Sequence, residues 1–494
     1  MVTGRTTHRG IAALTALAAV TILPGAVGVA SADSVHRYRT GEGATATKGT
    51  SNSGRAPRLK PGLHTDSIKR GEQKYYAVTL DDRTSAYFSA VAAPRPGTKV
   101  KDYGDKLTLT VQASDGTTCG AQARPSFNGG GMAYPIADYA SRRIGTDRTE
   151  CQKAGLYYLV ISREGSATSG ADSWPLEIDY LDEPPLRGTT PARPAQGSWS
   201  TTTPAPRTDA TKRSARGGTG FNDAGSVGTG VWKDRITPGE TRFYRVPVDW
   251  GQRLNLSAEL PNAPSGASGV TGASRSSGFL ARMLGLGVYN PARGAVGDLR
   301  FVSYTGKPAA AKEFTAPVEY GNRFNPTDSV SAMRFAGWYY LEVSLHPDAE
   351  RYFPKGVELT LRVDVRGTAK AGPGYAEPTG TFSVTPDDQE TARKGQTEQE
   401  AAKSGTLMTV AYAGIGTGVV LLAGLGVWTL MARRSLRAGA RVAAGGAVPA
   451  VAPGAAGTPG AVGGPGDQPS LPGQETQSAQ QARQKPPFGP PQGW

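Results

Sequence analysis

GLHTDSIKRGEQKYYAV, residues 62–78, returns further along the chain as GVWKDRITPGETRFYRV, residues 230–246. Gly, Asp, Ile, Gly, Glu, Tyr and Val coincide without a gap, and each stretch reads as a strand, a glycine turn and a second strand. Apolar residues then recur at every second position, Ala86, Phe88 and Ala90 in the first copy and Leu254, Leu256 and Ala258 in the second. A period of two turns one face inward. A further strand follows, Leu107, Leu109 and Val111 ahead of Asp115-Gly116, or Leu284, Leu286 and Val288 ahead of Arg293-Gly294. Asp-Gly is a strong tight-turn signal. The last shared block is AGLYYLVIS (154–162) against AGWYYLEVS (336–344), each with a closing strand, Leu176, Ile178, Tyr180 or Leu359, Leu361, Val363. The repeating unit is therefore a whole domain, and short alternating strands joined by Gly and Pro turns predict an all-β sandwich for each copy.

This order of blocks resembles the bacterial pre-peptidase C-terminal domain. The residues that carry the likeness are Ile68, Gly71, Glu72, Tyr75, Tyr76, Gly155, Tyr157, Tyr158 and Leu159 in the first copy, and Ile236, Pro238, Gly239, Glu240, Phe243, Tyr244, Gly337, Tyr339, Tyr340 and Leu341 in the second. Lys69-Arg70 replaces the usual Thr-Pro ahead of the first turn glycine. The resemblance implies two tandem jelly-roll-like β-sandwiches, placed at 58–183 and 223–367, of a kind found beside secreted peptidases and on other exported proteins. It implies nothing about ligand, because sandwiches host many roles.

The remaining segments sort by address. Residues 1–32 have a basic start (Arg5, His8, Arg9), an apolar stretch and Ala30-Ser31-Ala32, the pattern of a cleaved signal peptide. Residues 33–57 read as a flexible leader, 184–222 as a Pro/Thr/Ala/Arg spacer and 368–406 as a polar stalk, in which Thr385-Pro386-Asp387-Asp388 is a helix start. Leu407 to Ala432 carries no charge; at about 1.5 Å per residue it reaches roughly 39 Å, more than the ~30 Å of hydrocarbon in a bilayer. Arg433, Arg434, Arg437 and Arg441 follow at once, which places the carboxyl side in the cytoplasm. The expected fold is thus two sandwiches outside, one C-terminal transmembrane α-helix, and a disordered Ala/Gly/Pro-rich tail at 433–494. Gly414 and Gly418 form a G-x-x-x-G pair suited to helix–helix packing.

Cys119 and Cys151 are the only cysteines, and on the exported side they read as one disulfide. A thiol nucleophile or a two-cysteine metal site is the sharper alternative. The formal net charge is +14, part of it in the signal peptide and tail. The remainder suits an anionic wall or phospholipid surface, and no basic stretch with interleaved aromatics marks a nucleic-acid partner. Residues 299–334 hold Phe301, Tyr304, Tyr320, Arg323 and Phe324 and form the expected contact loop. Pro486-Pro487 and Pro490-Pro491 in the tail suit a protein partner that binds extended proline segments.

No H-E-x-x-H, G-x-S-x-G, phosphate-loop or calcium-loop pattern occurs. His64 stands where Trp232 stands in the other copy, and His346 precedes a proline; both read as structural. No catalytic residue, cofactor or metal ligand is therefore expected. The sequence points to a surface-displayed binding or scaffolding protein. The alternatives are a peptidase-associated hydrolase, or the outer subunit of a membrane assembly or signalling complex working through the tail.

Overall fold

In the computed structural model, residues 37–145, 148–188, 211–264, 279–397 and 424–431 are described. The first sandwich contains β1 (Thr45–Ala46), β2 (Gly62–Ile68), β3 (Gln73–Leu80), β4 (Ser85–Ala92), β5 (Lys106–Ala113), β6 (Ile136–Arg142), β7 (Gly155–Glu164) and β8 (Trp174–Glu183). The second contains β9 (Lys212–Ser214), β10 (Gly225–Ser226), β11 (Gly230–Ile236), β12 (Thr241–Val248), β13 (Arg253–Leu260), β14 (Leu280–Tyr289), β15 (Arg300–Tyr304), β16 (Ala309–Phe314), β17 (Gly337–Leu345) and β18 (Val357–Arg366).

The duplication holds strand by strand. Sheet order β1-β2-β8-β4-β6 in the first copy corresponds to β9-β11-β18-β13-β16 in the second, and β3-β7-β5 corresponds to β12-β17-β14, which β10 and β15 flank. Even the short edge strands β1 and β9 each pair parallel to the next strand. One clasp repeats in both. Asp66 accepts hydrogen bonds from Gly49 N at 2.8 Å and Tyr76 Oη at 2.7 Å, and Asp234 accepts the same pair from Gly217 N at 2.8 Å and Tyr244 Oη at 2.7 Å. The clasp ties the incoming segment to the sheet, so the folded region begins well ahead of the position where the apolar alternation starts. Residues 37–57 and 211–222 thus belong to the sandwiches rather than to a leader and a spacer. Their ties are backbone amides to carboxylates and a few single apolar side chains such as Phe221, which leave no hydrophobic period to read.

The alternating residues form the two cores as expected: Ala86, Phe88 and Ala90 are fully buried in one and Leu284, Leu286 and Val288 in the other. The opposite face of β4 is buried as well. Tyr87 packs with Ala292, Phe335 and Phe382 of the second copy, and Val91 and Ala137 pack with Phe221, Phe243 and Tyr289. The two sandwiches thus stack sheet on sheet within one compact unit.

The segment after β18 also departs from the expected stalk. The helix α2 (Pro386–Lys394) starts where predicted, with Thr385 and Asp388 forming a reciprocal capping box, and it ends at Gly395 in the left-handed conformation. It does not stand free: Ala392 is buried and Asp388 accepts from Trp338 Nε1 at 3.0 Å. The small side chain of Ala392 is what lets the helix lie close on the sandwich, against Gly228. Residues 424–431 are helical. The rest of the proposed span, including Gly414 and Gly418, and the signal peptide and tail lie outside the described residues. Among the described residues, no helix is long and apolar enough to cross a membrane.

Candidate functional site

Two buried carboxylates on the outward face of β8 organise the junction between the sandwiches. Alternation along β8 sends Leu176, Ile178 and Tyr180 into the first core, which leaves Glu177, Asp179 and Glu183 facing the second copy. Glu177 accepts from Arg293 Nη1 at 2.5 Å, Tyr38 Oη at 2.8 Å, Gly41 N at 2.6 Å and Asn222 Nδ2 at 2.9 Å. Arg293 reaches it from the β14–β15 turn with a left-handed backbone, φ 59°. Asn290 holds that turn, its Oδ1 accepting from the amides of Ala292 and Gly294 at 3.0 Å. Gly294 has to be glycine here: a Cβ would lie 1.8 Å from the Tyr139 ring of the other sandwich. Burial opposes the Arg293 charge, but Asp179, Tyr38 and Glu177 outweigh it and hold the guanidinium firmly protonated, while burial pushes the Asp179 carboxyl up.

The second pair is bidentate. Arg323 donates to Glu183 through Nη2 at 2.6 Å and Nη1 at 3.1 Å, and Tyr87 and Tyr375 each donate to the same carboxylate at 2.8 Å. Burial would raise the Glu183 carboxyl, yet Arg323 and the two phenols hold it below its ordinary value. The Arg323 guanidinium lies 3.4 Å from the centre of the Tyr320 ring. Fork geometry and complete hydrogen bonding are the conditions under which a buried ion pair repays its desolvation.

A cleft of about 560 Å³ opens beside these pairs. The disulfide Cys119–Cys151, with its Cα atoms 5.6 Å apart, and Tyr139 and Arg143 line it from the first sandwich; the short helix α1 (Asp328–Ser331) and Arg334 line it from the second. Arg334 is held by Ser331, to whose carbonyl its Nε donates at 2.5 Å and to whose hydroxyl its Nη2 donates at 3.3 Å. Asp138 accepts from the amides of Tyr139 and Ala295, and burial pushes its carboxyl up to about 6. The cleft offers both signs of charge, hydroxyls and one aromatic edge, a set suited to holding a polar chain.

The residues of the expected contact loop do not share one patch. Arg323 is the buried ion-pair partner of Glu183. Phe301 reaches across to Tyr134 of the first sandwich, ring centres 5.8 Å apart, and Tyr304 is buried in the second core against Tyr352 and Phe353. Tyr320 stacks on Arg323 and meets Tyr375, and Phe324 is half-buried. Two of the five, Phe301 and Arg323, reach the neighbouring copy. The two histidines among the described residues, His64 and His346, both have hydrogen-bond partners. His64 is bonded by Thr47 at 2.9 Å and lies 2.8 Å from the Lys60 carbonyl, and Trp232 makes the matching bond to Gly228 at 2.8 Å. His346 accepts from Asp348 N at 3.1 Å and caps a 3-10 turn, and burial lowers its pKa. Among the described residues no cluster of three or more His, Cys, Asp or Glu is arranged to hold a metal. Sequence reasoning passed over Glu177, Glu183 and Arg293; the available signal was a carboxylate at three of the five outward positions of β8, Glu177, Asp179 and Glu183, on a strand that should otherwise have faced water.

No family model matches the chain, and no curated protein matches it. Among solved structures it is similar to the pre-peptidase C-terminal domain of a collagenase from Bacillus anthracis, at 15% identity over 26% of this chain and 94% of that one, TM-score 0.16. It is also similar to the tandem CBM51 modules of a family 98 glycoside hydrolase from Streptococcus pneumoniae, at 8% identity over 62% of this chain and 83% of that one, TM-score 0.17. A secreted protein from Parabacteroides distasonis is similar at 8% identity over 63% of this chain and 91% of that one, TM-score 0.15.

Proposed function

We propose that this chain is a non-catalytic, membrane-anchored scaffold of the bacterial cell surface, whose two sandwiches act as one rigid binding body. The observation that carries the reading is the junction: the Glu177–Arg293 and Glu183–Arg323 pairs, each closed by further hydrogen bonds, fix the copies face to face. A fixed double module presents its surfaces at constant separation, which is what a scaffold requires. The cleft beside the disulfide is the binding place, taking a polar chain from the wall or from a protein partner. The signal peptide, the span at 407–432 and the arginines after it support an orientation with both sandwiches outside. The structural use of both His64 and His346 favours binding over hydrolysis.

The test is retention of the full chain, solubilised from membranes, on isolated cell-wall material. Arg334→Ala and Asp328→Asn are expected to reduce retention at least fivefold while leaving the melting transition in place. Retention unchanged in both variants contradicts the assignment of the cleft. Impermeant labelling of intact cells at Ser114 and at the tail tests orientation separately, Ser114 being expected to label and the tail not.

A further inference from the structure

A second cleft of about 540 Å³ lies where the β4–β5 loop of the first sandwich meets the β11–β12 turn of the second. Its lining holds Arg37, Arg95 and Lys99 and no acidic residue; prolines, glycines and small apolar side chains make up most of the rest. The cations are set by rigid backbone. Arg95-Pro96-Gly97-Thr98 is a tight turn closed by Thr98 N donating to Arg95 O at 3.0 Å, with Gly97 at φ 81°, and Gly170 N donates to Lys99 O at 2.8 Å. The opposing wall is a turn of the same design, Thr237-Pro238-Gly239-Glu240, closed at 3.0 Å with Gly239 at φ 80°. Proline second and glycine third in a turn fix its shape at little entropic cost.

Among the described residues, no ion pair neutralises Arg95 or Lys99. Asp102, on the same loop, is already engaged by Arg282 at 3.2 Å and by the amides of Gly130 and Gly131 at 2.9 and 3.1 Å. Arg95 and Lys99 are exposed, and what marks this cleft is that its lining brings three cations and no carboxylate together beside two rigid turns. We propose that this cleft binds a polyanionic chain, its repeated oxyanions meeting the Arg95 guanidinium and the Lys99 ammonium. Concavity favours a strand over a flat lipid surface, since a planar bilayer meets only the rim. The proposal rests on the extracytoplasmic placement above for its biological setting, but its chemistry is testable without it.

The experiment uses the full chain in detergent micelles with three probes: inorganic polyphosphate, poly-glutamate, and phosphatidylglycerol vesicles. The double variant Arg95→Glu/Lys99→Glu is compared with Lys307→Glu/Lys312→Glu, which alters net charge equally at exposed positions outside the cleft. Binding of polyphosphate or poly-glutamate is expected to fall at least about tenfold in the cleft variant and less than about threefold in the control. By counterion release, the slope of log affinity against log salt should shrink by about two in the cleft variant alone. Which polymer binds distinguishes a phosphate from a carboxylate source. Equal losses in both variants, no binding of either polymer, or binding of vesicles only would overturn the proposal. Failure here with intact retention on wall material through the Arg334 cleft leaves the scaffold reading standing.

Discussion

The two sandwiches keep the same strand order and the same Asp–Tyr–Gly clasp, and they differ in what secures each one. In the first, Lys74 joins the clasp at 2.8 Å from Asp66 and a disulfide spans the long excursion; in the second, Arg242 turns instead to Glu240 at 2.7 Å, and β10, β15 and α2 add packed surface. Burial raises the Asp66 carboxyl, but the hydrogen bonds from Lys74, Gly49, Tyr76 and Ser67 outweigh it and hold it below its ordinary value. The first copy, with only three strands in its outer sheet, has less apolar area to bury and carries a covalent staple; the second stabilises itself by added elements. The clasp is thus common to both copies, while the faces that meet are non-equivalent sheets, that of β4, β6 and β8 in the first copy against that of β12, β14 and β17 in the second.

Removing one member of the cross-copy pairs is the strongest way to break this picture. Arg293→Met leaves Glu177 and Asp179 buried without their cation, and the expected cost is about 3–5 kcal/mol. Denaturant unfolding should change from one transition to two as the copies uncouple. A single transition at unchanged midpoint would mean that Arg293 does not hold them together.

The staple comes next. Cys119→Ser opens a loop with a sequence separation of 32 residues, and chain entropy predicts a loss of roughly 3–4 kcal/mol. The loss should fall on the first sandwich, read by exchange protection of β5 and β7 against β14 and β17. Equal loss of protection in both copies would contradict the division of labour.

A smaller effect isolates the second copy's contribution to the junction. Glu342 is fully buried on the junction face, accepting from Tyr289 Oη at 2.7 Å with no cation beside it, and burial pushes its carboxyl from 4.5 up to about 8. A raised folded pKa means that stability is complete below about pH 4.5, declines as pH rises, and has lost this contribution by about pH 8. Glu342→Gln keeps an acceptor for Tyr289 and removes the titration. It should stabilise the protein at pH 8 and not at pH 4. Melting temperatures that track wild type across this range would remove Glu342 from the account.

Much of the fold was legible because a period of two is a direct consequence of one-sided burial. Ala86, Phe88 and Ala90 announced their core, and Thr385 with Asp388 announced a helix start. The junction was not legible for the same reason. Tyr87, Val91 and Glu183 look like solvent-facing positions of a one-sided strand, and only the arrival of a second domain buries them. Arg323 was singled out by its aromatic neighbours, but its partner lies far away in sequence on β8, a pairing that no local pattern encodes. The extra reach of each sandwich at its start escaped notice because Gly49 and Gly217 contribute amides rather than side chains.

Rigid union of the two copies is tested most directly by the distance between nitroxide labels on Ser114 in the first sandwich and Lys312 in the second, both exposed. With Cys119 and Cys151 paired, only the introduced thiols react. The account predicts one narrow distance distribution that broadens in Arg293→Met. A broad or multi-peaked distribution in the otherwise native chain would contradict it.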